Sequence, residues 1–187
     1  MKRFTLAAAL CISLAGCQTA YYSAMEKVGV HKREILVDRV EATKESRQES
    51  QEEFQSALER LTTLINFDGG ELQSAYEQLN DDYESSLSAA NDVSGNINKV
   101  EDVAEALFSE WEDELTQYSS AALKRESEKK LKQTQRQFNK LLRSMRSSED
   151  KMQPVLSSLK DNVLYLKHNL NAQAIAAIRG EFKNLKS

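Results

Sequence analysis

Few side chains in this sequence have the types and spacing that chemistry requires. There are two histidines, His31 and His168, separated by most of the chain. They are too far apart along the helices read below to share a metal or to complete a nucleophile–His–acid set. Carboxylates are plentiful at i,i+3 and i,i+4 spacing, but no Glu-x-x-His accompanies them, so a di-iron bundle is not indicated. The sequence has no glycine-rich phosphate loop, no HExxH and no nucleophile elbow. The carboxylates therefore read as a solvated helix face, and the chain as non-catalytic, with no cofactor and no bound metal. One residue does have a chemical setting of its own, Cys17.

Cys17 closes an N-terminal targeting segment. Lys2 and Arg3 form a positive start, Phe4–Leu14 is an apolar run too short to span a bilayer, and Leu14-Ala15-Gly16-Cys17 follows. This resembles the lipobox of bacterial lipoproteins, in which cleavage precedes the cysteine and its thiol is lipidated. The expected organisation is a signal peptide over 1–16, a lipidated N-terminus over 17–20 and one helical domain over 21–187. Gln18 stands where an inner-membrane retention signal would carry Asp. By resemblance to Gram-negative lipoproteins, this points to the outer membrane, facing the periplasm. Cys11 would leave with the signal and Cys17 would carry lipid, so no thiol remains for a disulfide, a nucleophile or a metal.

The elements that follow are helical. In 187 residues there are one proline and six glycines, and the formal net charge is −4. From Leu72 to Tyr118 apolar residues recur every three or four positions: Leu72, Tyr76, Leu79, Tyr83, Leu87, Ala90, Val93, Ile97, Val100, Ala104, Leu107, Trp111, Leu115 and Tyr118. That is one helix stripe sustained for about six heptads. Such a stripe needs partner helices, and the flanking segments carry similar ones. The spacing predicts an all-α, elongated antiparallel three-helix bundle resembling a coiled coil. Its helices run over about 21–66, 71–116 and 121–170, and a short amphipathic helix runs over 172–185. The reading takes Gly29 as an isolated glycine inside the first helix and Gly69-Gly70 as a tight turn. The helix around Gly95 is kept continuous, and a turn is placed at Thr116–Ser120. Pro154 lies inside the third stripe (Leu131, Phe138, Met145, Met152, Leu159, Leu166), where it removes a backbone donor and kinks or restarts the helix. Ser147, Ser148 and Asp150 are the residues available to cap a restart.

Charge is segregated. Glu71–Leu115 holds thirteen acidic residues against Lys99 alone, whereas Lys124–Arg146 holds nine basic residues against two acidic ones. The two segments are expected to face each other as an antiparallel pair. A secretory leader argues against nucleic acid as the partner of the basic run, and anionic lipid headgroups are a second possibility for it.

At ~1.5 Å per residue, the first helix places Arg47 level with Ala89–Asp92 and Arg146–Asp150. Large apolar residues are sparse in all three segments. Continuing the first stripe puts Thr43, Arg47 and Ser50 inward, with Asp92 or Glu149 as partner for Arg47 and Ser148 nearby. A buried arginine requires such a partner. The layer reads either as a device that sets register or as a small-ligand or partner groove.

Three segments, Met25-Glu26-Lys27-Val28-Gly29-Val30-His31-Lys32-Arg33 with Ile35-Leu36-Val37-Asp38-Arg39-Val40, Lys151-Met152-Gln153-Pro154-Val155-Leu156 and Leu166-Lys167-His168-Asn169-Leu170-Asn171-Ala172, resemble the DUF2959 proteins. The resemblance covers essentially all of the chain after the leader. It implies a helical lipoprotein-like protein and no catalytic residues. Two functions are compatible with these features. The first is a lipid-anchored envelope spacer or interaction module serving a periplasmic protein or peptidoglycan. The second is a ligand-binding or sensing bundle that uses the layer around Arg47. Neither fixes an oligomeric state.

Overall fold

The structure is a computed structural model, and it describes residues 21–22, 24–65, 72–169 and 178. The leader, Cys17 and the Gly69-Gly70 turn lie outside the described residues, as does the 172–185 helix apart from Ile178. Four helices account for nearly all of the described chain: α1 (Lys32–Ile65), α2 (Leu72–Glu114), α3 (Ala121–Asp150) and α4 (Met152–His168). No strand occurs among the described residues. The fold is a helical bundle. None of the described helices is long and apolar enough to cross a membrane.

Two compact units divide the chain. Unit one draws on residues up to Glu41 and on Asn98–Lys140, and unit two on Ala42–Ile97 and Leu141–Ser187.

In unit one the first helix does not begin at residue 21. Tyr21–Tyr22 and Ala24–Lys27 are helical, and a break at Val28–His31 precedes α1. Gly29 is the cause: its φ is +87°, the left-handed conformation that glycine adopts without a Cβ penalty. Gly29 N–H donates to the Glu26 carbonyl at 3.0 Å, and Val30 N–H donates to the Met25 carbonyl at 3.0 Å. That pair of bonds is a Schellman ending. His31 then opens α1, and its N–H donates to Glu34 Oε2 at 3.4 Å, the return half of a capping box.

Around this turn the chain folds back on itself. Lys32 pairs with Glu26, and further from the turn on both sides Tyr22 packs with Ile35 and with Val103 of α2. Lys32 Nζ also lies 3.1 Å from Glu110 Oε1. Burial alone would push the Lys32 ammonium down, but its bonds to two carboxylates outweigh burial and its pKa is raised. The hydrogen bond from Lys32 holds Glu26 below the usual carboxylate range. Three helix segments thus meet at one ammonium group.

The turn placed at Thr116–Ser120 is present. A 3-10 turn spans Leu115–Gln117, and Tyr118 is extended. The Ser120 carbonyl accepts from Lys124 N–H at 3.0 Å, and Ser120 Oγ accepts from Leu123 N–H at 3.4 Å. Beyond the turn, α3 packs on α2. Phe108 and Phe138 meet edge to face at 5.6 Å, and Trp111 Nε1 donates to Ser127 Oγ at 2.8 Å. The acidic and basic segments face each other as an antiparallel pair, but several of the cations turn away from the contact. Arg125, Lys129, Lys132, Arg136 and Lys140 are all exposed. Besides the Trp111–Ser127 bond, Gln135 Nε2 donates to Glu112 Oε1 across the two helices at 3.1 Å.

Unit two holds the larger apolar cluster: Ala57, Leu61, Leu79, Leu159, Val163, Leu166 and Ile178, with Tyr76, Tyr83 and Val155 against it. The heptad residues Met145, Leu159 and Leu166 are buried, and Leu141 is 40% exposed. The helix through Gly95 is unbroken. Proline at 154 leaves the Asp150 carbonyl without its helical N–H donor, and regular hydrogen bonding lapses at Lys151. Lys151 keeps helical angles (φ −71°, ψ −17°) and has no side-chain cap, so the chain bends there and does not turn. Ser148, expected to be available as a cap, instead donates its hydroxyl to the Ser144 carbonyl at 3.1 Å. α4 ends at Asn169: its N–H returns to the Leu166 carbonyl, and its side-chain amide donates to the Tyr165 carbonyl at 3.0 Å.

Candidate functional site: a groove at the bend of unit two

The layer anticipated from the sequence lies in unit two, with a different membership. At this level of α1 the buried residues are Thr43, Ser46 and Ser50, and Arg47 is exposed. Steps of three and four alternate in any helix stripe. From Thr43 to Ser50 the stripe takes three then four, through Ser46, and the sequence reading took four then three, through Arg47. The structure avoids burying a guanidinium by choosing the serine, whose Oγ donates to the Thr43 carbonyl at 3.1 Å within its own helix. A buried hydroxyl satisfied in this way needs no partner on another helix.

The remaining residues of that layer are dispersed. Asp92 is exposed on α2, and Ser148 and Glu149 are half-buried. Glu149 is not a partner of Arg47; Arg146 Nη1 donates to its Oε2 at 3.0 Å. Burial pushes Glu149 up, but hydrogen bonds from Ser94 and Arg146, together with the Arg146 charge, outweigh it and hold the carboxyl below its ordinary value. The Ser94–Glu149 bond and the contact of Ser50 Oγ with Met152 Sδ at 3.3 Å bring α1, α2 and the α3–α4 bend together in this unit.

Arg47 instead stands on the rim of a groove of about 510 Å³. Along α1 the groove is lined by Arg47, Ser50, Gln51, Phe54, Gln55, Leu58, Glu59 and Thr62. Val93 comes from α2, and Ser148, Lys151, Met152 and Val155 come from around the bend. Two kinds of surface result. Phe54, Leu58, Val93, Met152 and Val155 give an apolar floor, and Arg47, Gln51, Gln55, Glu59 and Lys151 give a polar rim. Pro154 has a direct part in this, because the lapse at Lys151 falls inside the groove wall. Ligand sites combine these features, an apolar interior with a few polar groups that orient the occupant.

Met152 belongs to the third stripe, and the half-burial of Phe54, Leu58, Met152 and Val155 marks where the apolar faces are not fully covered. The rim residues Gln51, Gln55, Glu59 and Lys151 were not singled out. Arg47, Gln51, Gln55 and Glu59 recur every four residues beside the stripe, and that spacing was the available signal. His31 and His168 are both exposed and lie in different units. No group of three His, Cys, Asp or Glu is arranged to hold a metal among the described residues.

The family described as protein of unknown function (DUF2959) matches residues 21–187, and the chain belongs to it. No curated protein matches the chain, nor does any solved structure.

Proposed function

We propose that this protein is a non-catalytic, lipid-anchored interaction module of the Gram-negative cell envelope. It is held by acyl groups on Cys17 to the outer membrane, on the periplasmic side, and presents its helices to an envelope protein or to peptidoglycan. The observation that carries this reading is the leader: Lys2 and Arg3, the short apolar run and Leu14-Ala15-Gly16-Cys17. Several acyl chains give a durable anchor, where one would hold only marginally. Labelled palmitate should enter the protein in cells. Globomycin should cause the unprocessed form to accumulate, and Cys17→Ser should release the protein from the membrane fraction. Processing that is insensitive to globomycin removes the reading.

The groove favours a second reading, a bundle that binds a ligand in unit two. Its apolar floor and polar rim support this. Phe54→Ala and Arg47→Leu should then abolish cellular function while leaving the fold intact. Loss of function accompanied by equal loss of folding would reduce the groove to a packing feature.

A further inference from the structure

The exposed cations of α3 in unit one share one face. Arg125, Lys129, Lys132, Arg136 and Lys140 are separated by steps of four, three, four and four. At about 100° per residue this places all five within roughly an 80° arc, and at 1.5 Å per residue the row is about 22 Å long. All five are exposed, and none forms an ion pair with a described residue. No acidic residue stands within that arc, although exposed Glu126 and half-buried Glu128 lie beside it near its N-terminal end; Gln133 and Asn139 flank the rest. The opposite face of the same helix carries Leu131 and Phe138 into the core. The α3 helix is therefore held by its apolar side, and a straight ridge of positive charge points away from the protein.

We propose that this ridge docks on an anionic phospholipid bilayer surface. The match is electrostatic: a line of five cations set one helical turn apart meets a plane of phosphate groups. Each lysine or arginine near such a surface strengthens partitioning about five-fold. No aromatic or large aliphatic residue interrupts the row, so the contact is with headgroups and does not insert into the acyl region. The face also offers no stacking aromatics of the kind that read single-stranded nucleic acid. The whole chain is acidic, with a formal net charge of −4 even with these five cations counted, so the same surface repels the acidic faces and docking is oriented. The ridge lies in the same unit as Tyr21–Tyr22 and Ala24–Lys27. The choice of a bilayer as occupant rests on the proposed envelope location, whereas the binding itself requires no acylation.

The test is co-sedimentation of the full-length chain with vesicles rich in phosphatidylglycerol and with vesicles of phosphatidylcholine alone. The wild type is compared with Lys129→Gln/Lys132→Gln/Arg136→Gln. Neutralising three cations should cut the preference for anionic vesicles roughly a hundred-fold, and high salt should abolish that preference. Lys129→Arg/Lys132→Arg should retain it, as should Lys160→Gln/Lys167→Gln on α4. Circular dichroism confirms that each variant is folded. Equal anionic preference in the wild type and the triple variant overturns the proposal. So does tighter, ridge-dependent binding to duplex DNA or to a poly-glutamate peptide than to the vesicles. Failure of globomycin sensitivity with ridge-dependent vesicle binding intact would remove the anchor and leave the docking surface. The reverse result would remove the docking surface and leave the anchor.

Discussion

Arg60 Nη1 lies 2.8 Å from Asp82 Oδ1, and Asp82 Oδ2 is buried with no hydrogen-bond partner among the described residues. Asp82 is 3% exposed, and the Arg60 side chain is 55% exposed. The two partners therefore have unequal stakes. Burial raises the Asp82 pKa, Arg60 opposes that only in part, and Glu53 and Asp81 add to it. Asp82→Asn removes a buried charge and leaves a solvated arginine, so stability at neutral pH should be unchanged or higher by up to about 1 kcal/mol. Arg60→Ala leaves the buried carboxylate alone and should cost about 1–2 kcal/mol. The folded-state pKa lies above the unfolded one, so the contribution of Asp82 improves as pH falls through that folded value. Thermal melts of wild type and Asp82→Asn across this range should converge toward acid pH.

Glu149 runs the other way. Its folded pKa is depressed, so the stability it supplies is present above the ordinary carboxylate range and is lost as pH falls through the depressed value. Ser94→Ala removes one of the bonds that hold the carboxylate. It should cost about 1 kcal/mol at neutral pH and progressively less once Glu149 is protonated. Urea denaturation of the two proteins at neutral and acid pH would show this; a cost independent of pH would mean that Ser94 acts through packing.

The two described glycines should respond oppositely to alanine. Gly29 has φ +87°, and alanine there should cost about 1–2 kcal/mol. Amide exchange should show the loss as opening of the Tyr21–Lys27 segment. Gly95 is helical, and a Cβ added there would meet no atom within 4 Å. Gly95→Ala should therefore stabilise by about 0.5–1 kcal/mol. A cost at Gly95 would show that its backbone is needed for an approach by another molecule.

Arg47→Leu separates the layer from the groove. Arg47 is exposed, so the change should alter stability by less than about 0.5 kcal/mol. A drop of several degrees in melting temperature would restore Arg47 to a structural role.

Much of the helical architecture was legible because one signal repeats many times. The stripe from Leu72 to Tyr118 has fourteen members, twelve of them in α2, and a local error cannot shift its phase. The lapse between Val40 and Phe54 has no such redundancy. Between Thr43 and Ser50 two phases fit equally well, and only the cost of burying a guanidinium chooses Ser46 over Arg47. Gly29 was read as a tolerated helix residue because periodicity does not report handedness. The apolar pair Met25 and Val30 at Schellman spacing was the clue to a break. Charge totals matched α2 to α3, yet complementarity of totals does not specify azimuth. The spacing of Arg125, Lys129, Lys132, Arg136 and Lys140 does specify it, and it directs those charges outward. Pro154 announced a disturbance, but whether the chain bends or reverses depends on Lys151, whose backbone remains helical.

The reversal at Gly29 has a mechanical consequence for the proposed anchor. Tyr22 is level with Ile35, a turn into α1 and not at its start. Four residue steps separate Cys17 from Tyr21, a reach of at most about 14 Å. So short a leash keeps Tyr21, and the turn at Gly29 that follows it, close to the proposed acyl groups.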